Sequence, residues 1–101
     1  MSLLIRQPIS KEPIVRLHAD VLTGDSVREA TRLVDALAGS RLNLDLSTVR
    51  IPTAGGLGGL LRLHNAVRAR GGRLVLLNVQ PWAFEVFAVT RLTEVLDVRA
   101  A

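Results

Sequence analysis

The sequence predicts a small α/β protein: a mixed, mostly parallel sheet of four to five strands with helices packed against it. Residues 1–101 form one domain. Three observations lead there. Runs of period two alternate with runs of helical period, the signature of a layered α/β fold. The run Leu74-Val75-Leu76-Leu77 is apolar at every position, as suits a central parallel strand covered by helices on each side. The stretch Ile51-Pro52-Thr53-Ala54-Gly55-Gly56-Leu57-Gly58-Gly59-Leu60-Leu61 joins an alternating run to a helical one.

In order, Leu3 to Ile9 reads as a first strand, with Pro8 and Pro13 confining pairing to edges and turns. Ile14 to Ala19 alternates apolar and polar positions and reads as a second strand, joined to the first by a short hairpin. Thr23-Gly24-Asp25 is a turn, and Ser26 opens a helix. Ser26 and Glu29 have the spacing of a capping box. Val27, Ala30, Leu33, Val34 and Leu37 form its apolar face, and Gly39 ends it. Arg41 to Ser47 is the next strand, with Leu42, Leu44 and Leu46 alternating. The glycine turn and a second helix follow, the helix ending at Gly71-Gly72. After the apolar strand, Pro81 fits the first turn of a third helix with Ala83, Val86, Phe87 and Thr90 along one side. Thr93 and Glu94 begin a short element, and Val95, Leu96 and Val98 form a terminal strand. Right-handed crossovers make the last three strands parallel.

Composition narrows the function. A chain of 101 residues with 49% hydrophobic content supports one core and argues against disorder. No apolar run approaches the ~20 residues that span a bilayer, and no signal-peptide pattern follows Leu3-Leu4-Ile5. The expectation is a cytoplasmic protein without membrane insertion. The absence of cysteine removes disulfide and thiolate chemistry. The net charge is +4, but the arginines are spread over several elements and only Arg68, Arg70 and Arg73 cluster. Aromatic residues are 3%, and no nucleic-acid module is present, so no direct nucleic-acid contact is expected.

Catalytic and cofactor chemistry find little to use. The glycine turn lacks the Gly-Lys-Ser/Thr ending of a phosphate-binding loop. The dinucleotide spacing fails at Leu61, where a third glycine is required. There is no Gly-x-Ser-x-Gly elbow. His18 and His64 stand on separate elements with no carboxylate at useful spacing, and scattered acids do not build a metal site. His64 reads as a core-edge histidine, Asp45 as a strand-end hydrogen-bonding residue, and Trp82, Phe84 and Phe87 as core or interface. The reading is a non-enzyme with no cofactor.

The run Leu42-Asn43-Leu44-Asp45-Leu46-Ser47-Thr48-Val49, the Gly-Leu-Gly turn at Gly56 to Gly58, and Leu60-Leu61 resemble the STAS domain family, which includes the bacterial anti-sigma factor antagonists. Gly71-Gly72-Arg73-Leu74-Val75-Leu76 with Asn78-Val79 is similar to its glycine-glycine strand and turn. Val86-Phe87, Thr90-Arg91-Leu92 and Val95-Leu96 are similar to its third helix and tail. The resemblance covers nearly the whole chain from the second strand onward.

The resemblance implies a protein-binding module. It places the partner-binding surface at Thr53, Ala54, Gly55, Gly56, Leu57 and Gly58, and makes the partner an anti-sigma factor or serine kinase-like protein. In that branch a serine at the helix start accepts phosphate from the partner, within the pattern Asp-Ser-Ser-Gly-Leu. Counting back from Gly56-Leu57, Thr53 stands at the aspartate, Ala54 at the first serine and Gly55 at the modified serine. Glycine cannot accept phosphate, so a permanently unphosphorylated binder is expected. A turn one residue longer would instead make Thr53 the phosphoacceptor; Thr53 also suits a helix cap. Two other readings stay open. STAS domains occur as subunits of lipid-transport ABC complexes, where the partner is a nucleotide-binding subunit. The glycine turn could also hold a nucleotide or another small molecule.

Overall fold

The computed structural model describes residues 2–6, 14–34 and 41–101. Its order is β1 (Ser2–Arg6), β2 (Ile14–His18), β3 (Val21–Leu22), α1 (Gly24–Val34), β4 (Arg41–Asp45), β5 (Ile51–Pro52), α2 (Ala54–Ala69), β6 (Arg73–Val79), α3 (Pro81–Val89), a 3-10 turn (Leu92–Glu94) and β7 (Asp97–Ala100). The main sheet has the order β1-β2-β4-β6-β7. β1 runs antiparallel to β2, and β2, β4, β6 and β7 are parallel neighbours. The mixed, mostly parallel sheet agrees with the expectation from sequence.

Each crossover among the parallel strands moves to the next strand in the same direction, so right-handed connections place all three helices on one face. The core agrees. Val15, Leu17, Leu42, Leu44, Leu74 and Leu76 from the strands share one buried cluster with Val27, Leu60, Leu63, Val67, Ala83 and Phe87 from the helices. Each fully buried leucine or phenylalanine stabilises the fold by about 1.5–3 kcal/mol relative to leaving it in water. Helices on both faces of β6 were expected from its unbroken apolar run; this topology puts them on one. The alternate positions are nonetheless buried. Asn43 is 3% exposed, Asp45 5% and Val75 0%. Arg41 Nε donates to Asn43 Oδ1 at 2.9 Å, and Arg16 forms an ion pair with Asp45 at 3.7 Å, its Nε making no hydrogen bond.

Three further points depart from the sequence reading. β3 and β5 form a separate two-stranded parallel ribbon, with Val21 opposite Ile51 and Leu22 opposite Pro52. Neither was expected, because two residues carry no readable period. α1 begins at Gly24, not Ser26. Its capping pair is Thr23 and Ser26: Ser26 N–H donates to Thr23 Oγ1 at 3.2 Å and Thr23 N–H to Ser26 Oγ at 3.4 Å. Ser26 is therefore the answering partner of the box, and a serine fills the place usually held by Glu or Gln. At the end of the chain Val95 and Leu96 precede β7, which starts at Asp97. Leu96 is buried all the same.

Other boundaries hold. Pro81 occupies the first turn of α3. α2 stops at Arg70, and Gly71 takes φ +76°, the left-handed turn that glycine adopts without penalty. Leu37 and Gly39 lie outside the described residues.

Candidate functional site

The glycine turn sits where the small ribbon meets α2. The path to it is held by paired loops. Thr48 Oγ1 donates to Leu17 O at 2.6 Å and accepts from Ala19 N–H at 3.2 Å. Arg50 grips Asp20 with two hydrogen bonds of 2.8 Å, while Asp20 O accepts from the N–H groups of Arg50 and Ile51. The Arg50 guanidinium holds the Asp20 carboxyl below the usual carboxylate range. Asp45 anchors the same end of β4. Burial pushes its carboxyl up, but Ser47, the Asn78 amide and the Arg16 charge outweigh that and hold it low. Ser47 N–H donates to Asp45 Oδ1 at 2.8 Å and Asn78 Nδ2 to Oδ2 at 3.1 Å. Asn78 reaches Asp45 from a backbone with φ 54°, a left-handed conformation that asparagine tolerates better than most side chains. Asp45 is thus the hydrogen-bonding strand end expected from sequence.

Thr53 is the pivot of the corner. It is the N-cap of α2, accepting from Gly56 N–H at 3.1 Å. The same hydroxyl donates to Leu22 O at 2.8 Å, and Thr53 N–H donates to that carbonyl at 2.9 Å. One side chain therefore closes the helix start and ties it to β3.

The glycines divide by role. Gly56 is buried, and a Cβ there would lie 2.4 Å from Leu22 O. Gly59 is also buried, and its Cβ would lie 3.0 Å from Val27 Cβ. These two let α2 approach β3 and α1. Gly55 and Gly58 do not have that duty. A Cβ on Gly55 would meet nothing nearer than Gly24 N at 3.5 Å, and one on Gly58 only Arg62 Nη1 at 3.6 Å.

Ala54 and Gly55 are exposed, Thr53, Leu57 and Gly58 are partly covered, and Gly56 is buried. The six residues singled out from sequence are contiguous at the corner, but Gly56 lies beneath its surface. Sequence reasoning missed Gly24, which starts α1 beside Gly55, and the pair Val21 and Ile51. These two large apolar residues are 39% and 41% exposed and face each other across the ribbon next to the corner. A hint was available: Ile51 is a bulky β-branched residue within a turn-rich stretch, and nothing before it in the turn demands one.

Among the described residues, no group of three or more histidines and acids stands close enough to hold a metal, and no helix is long and apolar enough to cross a membrane.

Comparison with known proteins places this architecture. The family model described as "Mlab, STAS domain" matches residues 10–97. The chain is similar to the anti-sigma-B factor antagonists of Listeria monocytogenes and Listeria innocua, 28% identical over 80 residues, covering 79% of this chain and 70% of each relative. Its fold is similar to an anti-sigma-factor antagonist (STAS) domain protein from Planctomyces limnophilus, with TM-score 0.76, 19% identity, and 98% and 90% of the two chains covered. It is also similar to the anti-sigma factor antagonist SpoIIAA in its unphosphorylated form, with TM-score 0.71, 18% identity, and 96% and 87% covered. The family match extends over most of the chain, and the fold agrees from the hairpin to the last strand: this chain belongs to the STAS domain family.

Proposed function

We propose that this chain is a non-enzymatic regulatory module of the anti-sigma factor antagonist kind. It docks an anti-sigma factor or serine kinase-like partner through the corner at the start of α2, and it lacks the usual phosphoacceptor serine. One observation carries the reading. Ala54 and Gly55 are exposed at the first turn of α2, and the space beside Gly55 is open to 3.5 Å. A partner can approach the backbone there without displacing a side chain. Val21 and Ile51 add apolar area beside the approach.

Gly55 supplies no hydroxyl. Thr53 has one, but it is occupied as a donor to Leu22 O and an acceptor from Gly56 N–H. A phosphate on Thr53 would remove the donor and add about −1.5 to −2 charges against a buried carbonyl. That supports Thr53 as a cap.

The experiment is affinity capture from the native host with wild type and Gly55→Glu as baits. Recovery of a kinase-like partner by wild type and its loss with Gly55→Glu supports the reading; recovery of no such partner ends it. In parallel, incubation with the captured kinase leaves the mass of wild type unchanged, while Gly55→Ser gains one phosphate. If wild type gains mass and Thr53→Ala abolishes the gain, Thr53 is the acceptor. A second reading, the STAS subunit of a lipid-transport ABC complex, is favoured by the family model's description and by the threonine at this turn. Capture of a nucleotide-binding subunit would select it.

A further inference from the structure

At the other end of α2, far from the glycine corner, lies a cleft of about 480 Å³. His64 and Arg68 of α2, Arg73 at the start of β6, Thr93 and Val95 of the connecting segment, and Asp97 at the start of β7 line it. Its size falls within the range of small-molecule sites, and four separate segments contribute polar groups.

The charges in the cleft do not cancel. Asp97 supplies its one carboxylate, and that group is already shared: Arg73 Nη2 bonds Oδ2, and Arg99 Nε lies 3.3 Å from Oδ1. The hydrogen bond from Arg99, with the charges of Arg99 and Arg73, holds the Asp97 carboxyl below its ordinary range. Asp97 is thus satisfied. Arg68 is exposed and has no carboxylate partner among the described residues. Its position in the last turn of α2 favours a positive charge, an interaction that leaves the guanidinium's donors unused. Beside it, His64 Nδ1 is shielded from solvent and has no hydrogen-bond partner. Thr93 contributes a hydroxyl, and Leu74, Val95, Leu96 and Val98 make the remaining wall apolar.

We propose that this cleft binds a small organic phosphate. The planar guanidinium fork of Arg68 suits two phosphate oxygens, and the Thr93 hydroxyl brings a donor from a separate element on the cleft wall. The cleft is larger than inorganic phosphate, and its apolar wall takes the carbon portion. A carboxylate has only two oxygens for these donors and binds less well. The site is independent of the glycine corner, because no residue lines both.

The test is titration of the 101-residue chain with phenyl phosphate, inorganic phosphate and acetate at constant ionic strength, followed by two-dimensional amide NMR. The expected result is saturable binding, tightest for phenyl phosphate, with shifts centred on residues 64–68 and 93–98. Arg68→Gln weakens binding about tenfold or more, the loss of a charge-assisted hydrogen bond. Thr93→Val weakens it without touching any charge, and serves if Arg68→Gln fails to fold. Gly55→Glu, which blocks the corner, leaves phosphate binding unchanged, so failure here and failure of the docking proposal are separable. Shifts that grow linearly without saturation, that centre on residues 53–59, or that are the same in Arg68→Gln and wild type overturn the proposal.

Discussion

The two ends of α2 are built on opposite plans. Its first turn, Ala54-Gly55-Gly56, carries almost no side chain, and the backbone itself makes the surface. Its last turns carry His64 and Arg68, and there the surface is made of charge. The first end is held by hydrogen bonds through Thr53 to Leu22. The second is held by packing, with Leu63 and Val67 buried and Arg68 left outward. Under the two proposals above, one helix serves two kinds of recognition: a bare start for the broad face of a protein and a charged cleft for a small anion.

Four perturbations sharpen or break this contrast. The largest effect is expected at Gly56. Gly56→Ala forces a methyl to 2.4 Å from Leu22 O, so α2 must move off β3, at a cost of about 3 kcal/mol. Urea unfolding measures it, and an unchanged midpoint would show that the corner is looser than the packing implies.

Next comes Thr53→Ala, expected to cost about 1–2 kcal/mol through loss of the cap and of the bond to Leu22 O. Thr53→Ser should restore most of that in the same unfolding series. No recovery would mean the methyl group, not the hydroxyl, holds the corner.

The third concerns acid. Depressed carboxylates lie at both ends: Asp20 and Asp45 near the corner and Asp97 in the cleft. A carboxyl whose folded pKa is lowered contributes stability above its unfolded value. That contribution is lost as pH falls through the folded value. Stability should therefore decline from near the ordinary aspartate value of about 3.9 downward. Asp45→Asn should flatten this decline more than Asp97→Asn, because Asp45 is the more buried. Thermal melts between neutral and acid pH decide it, and equal slopes in wild type and Asp45→Asn would refute the assignment.

The smallest effect has the opposite sign. Gly58 lies within α2 with room for a methyl, so Gly58→Ala should stabilise by about 0.5–1 kcal/mol. A loss instead would show that Gly58 is a packing glycine like Gly56. The pair Gly58→Ala and Gly56→Ala is the most direct measure of how differently neighbouring glycines are used.

Much of the frame was legible because its signals are long. Leu42, Leu44 and Leu46 mark β4, and a nine-residue helix with Pro81 at its start marks α3. The unbroken apolar run of β6 was legible too, but not what covers it. Apolar residues on both faces say that a strand is buried and leave open whether helices or neighbouring side chains do the covering. The ribbon of β3 and β5 was invisible, since its two-residue strands are defined by bonds across the chain, at Asp20 and Arg50 and at Leu22 and Thr53. At the corner, the run of glycines marked the place, but nothing local separates Gly56, pressed on Leu22, from Gly58, open to Arg62.

The order of strands and helices, the turn chemistry at Thr53, Gly71 and Pro81, and the absence of a hydroxyl at Gly55 are properties of the chain read along its length, because they depend on neighbours a few residues apart. Which glycines are packed, that Gly24 starts α1 beside Gly55, and that His64, Arg68 and Thr93 share a cleft depend on contacts across some 25 to 40 residues. Those were decided when the crossovers laid α1 and α2 side by side and brought β7 against β6. Local periodicity encodes the elements; the space between them is set only by how they pack.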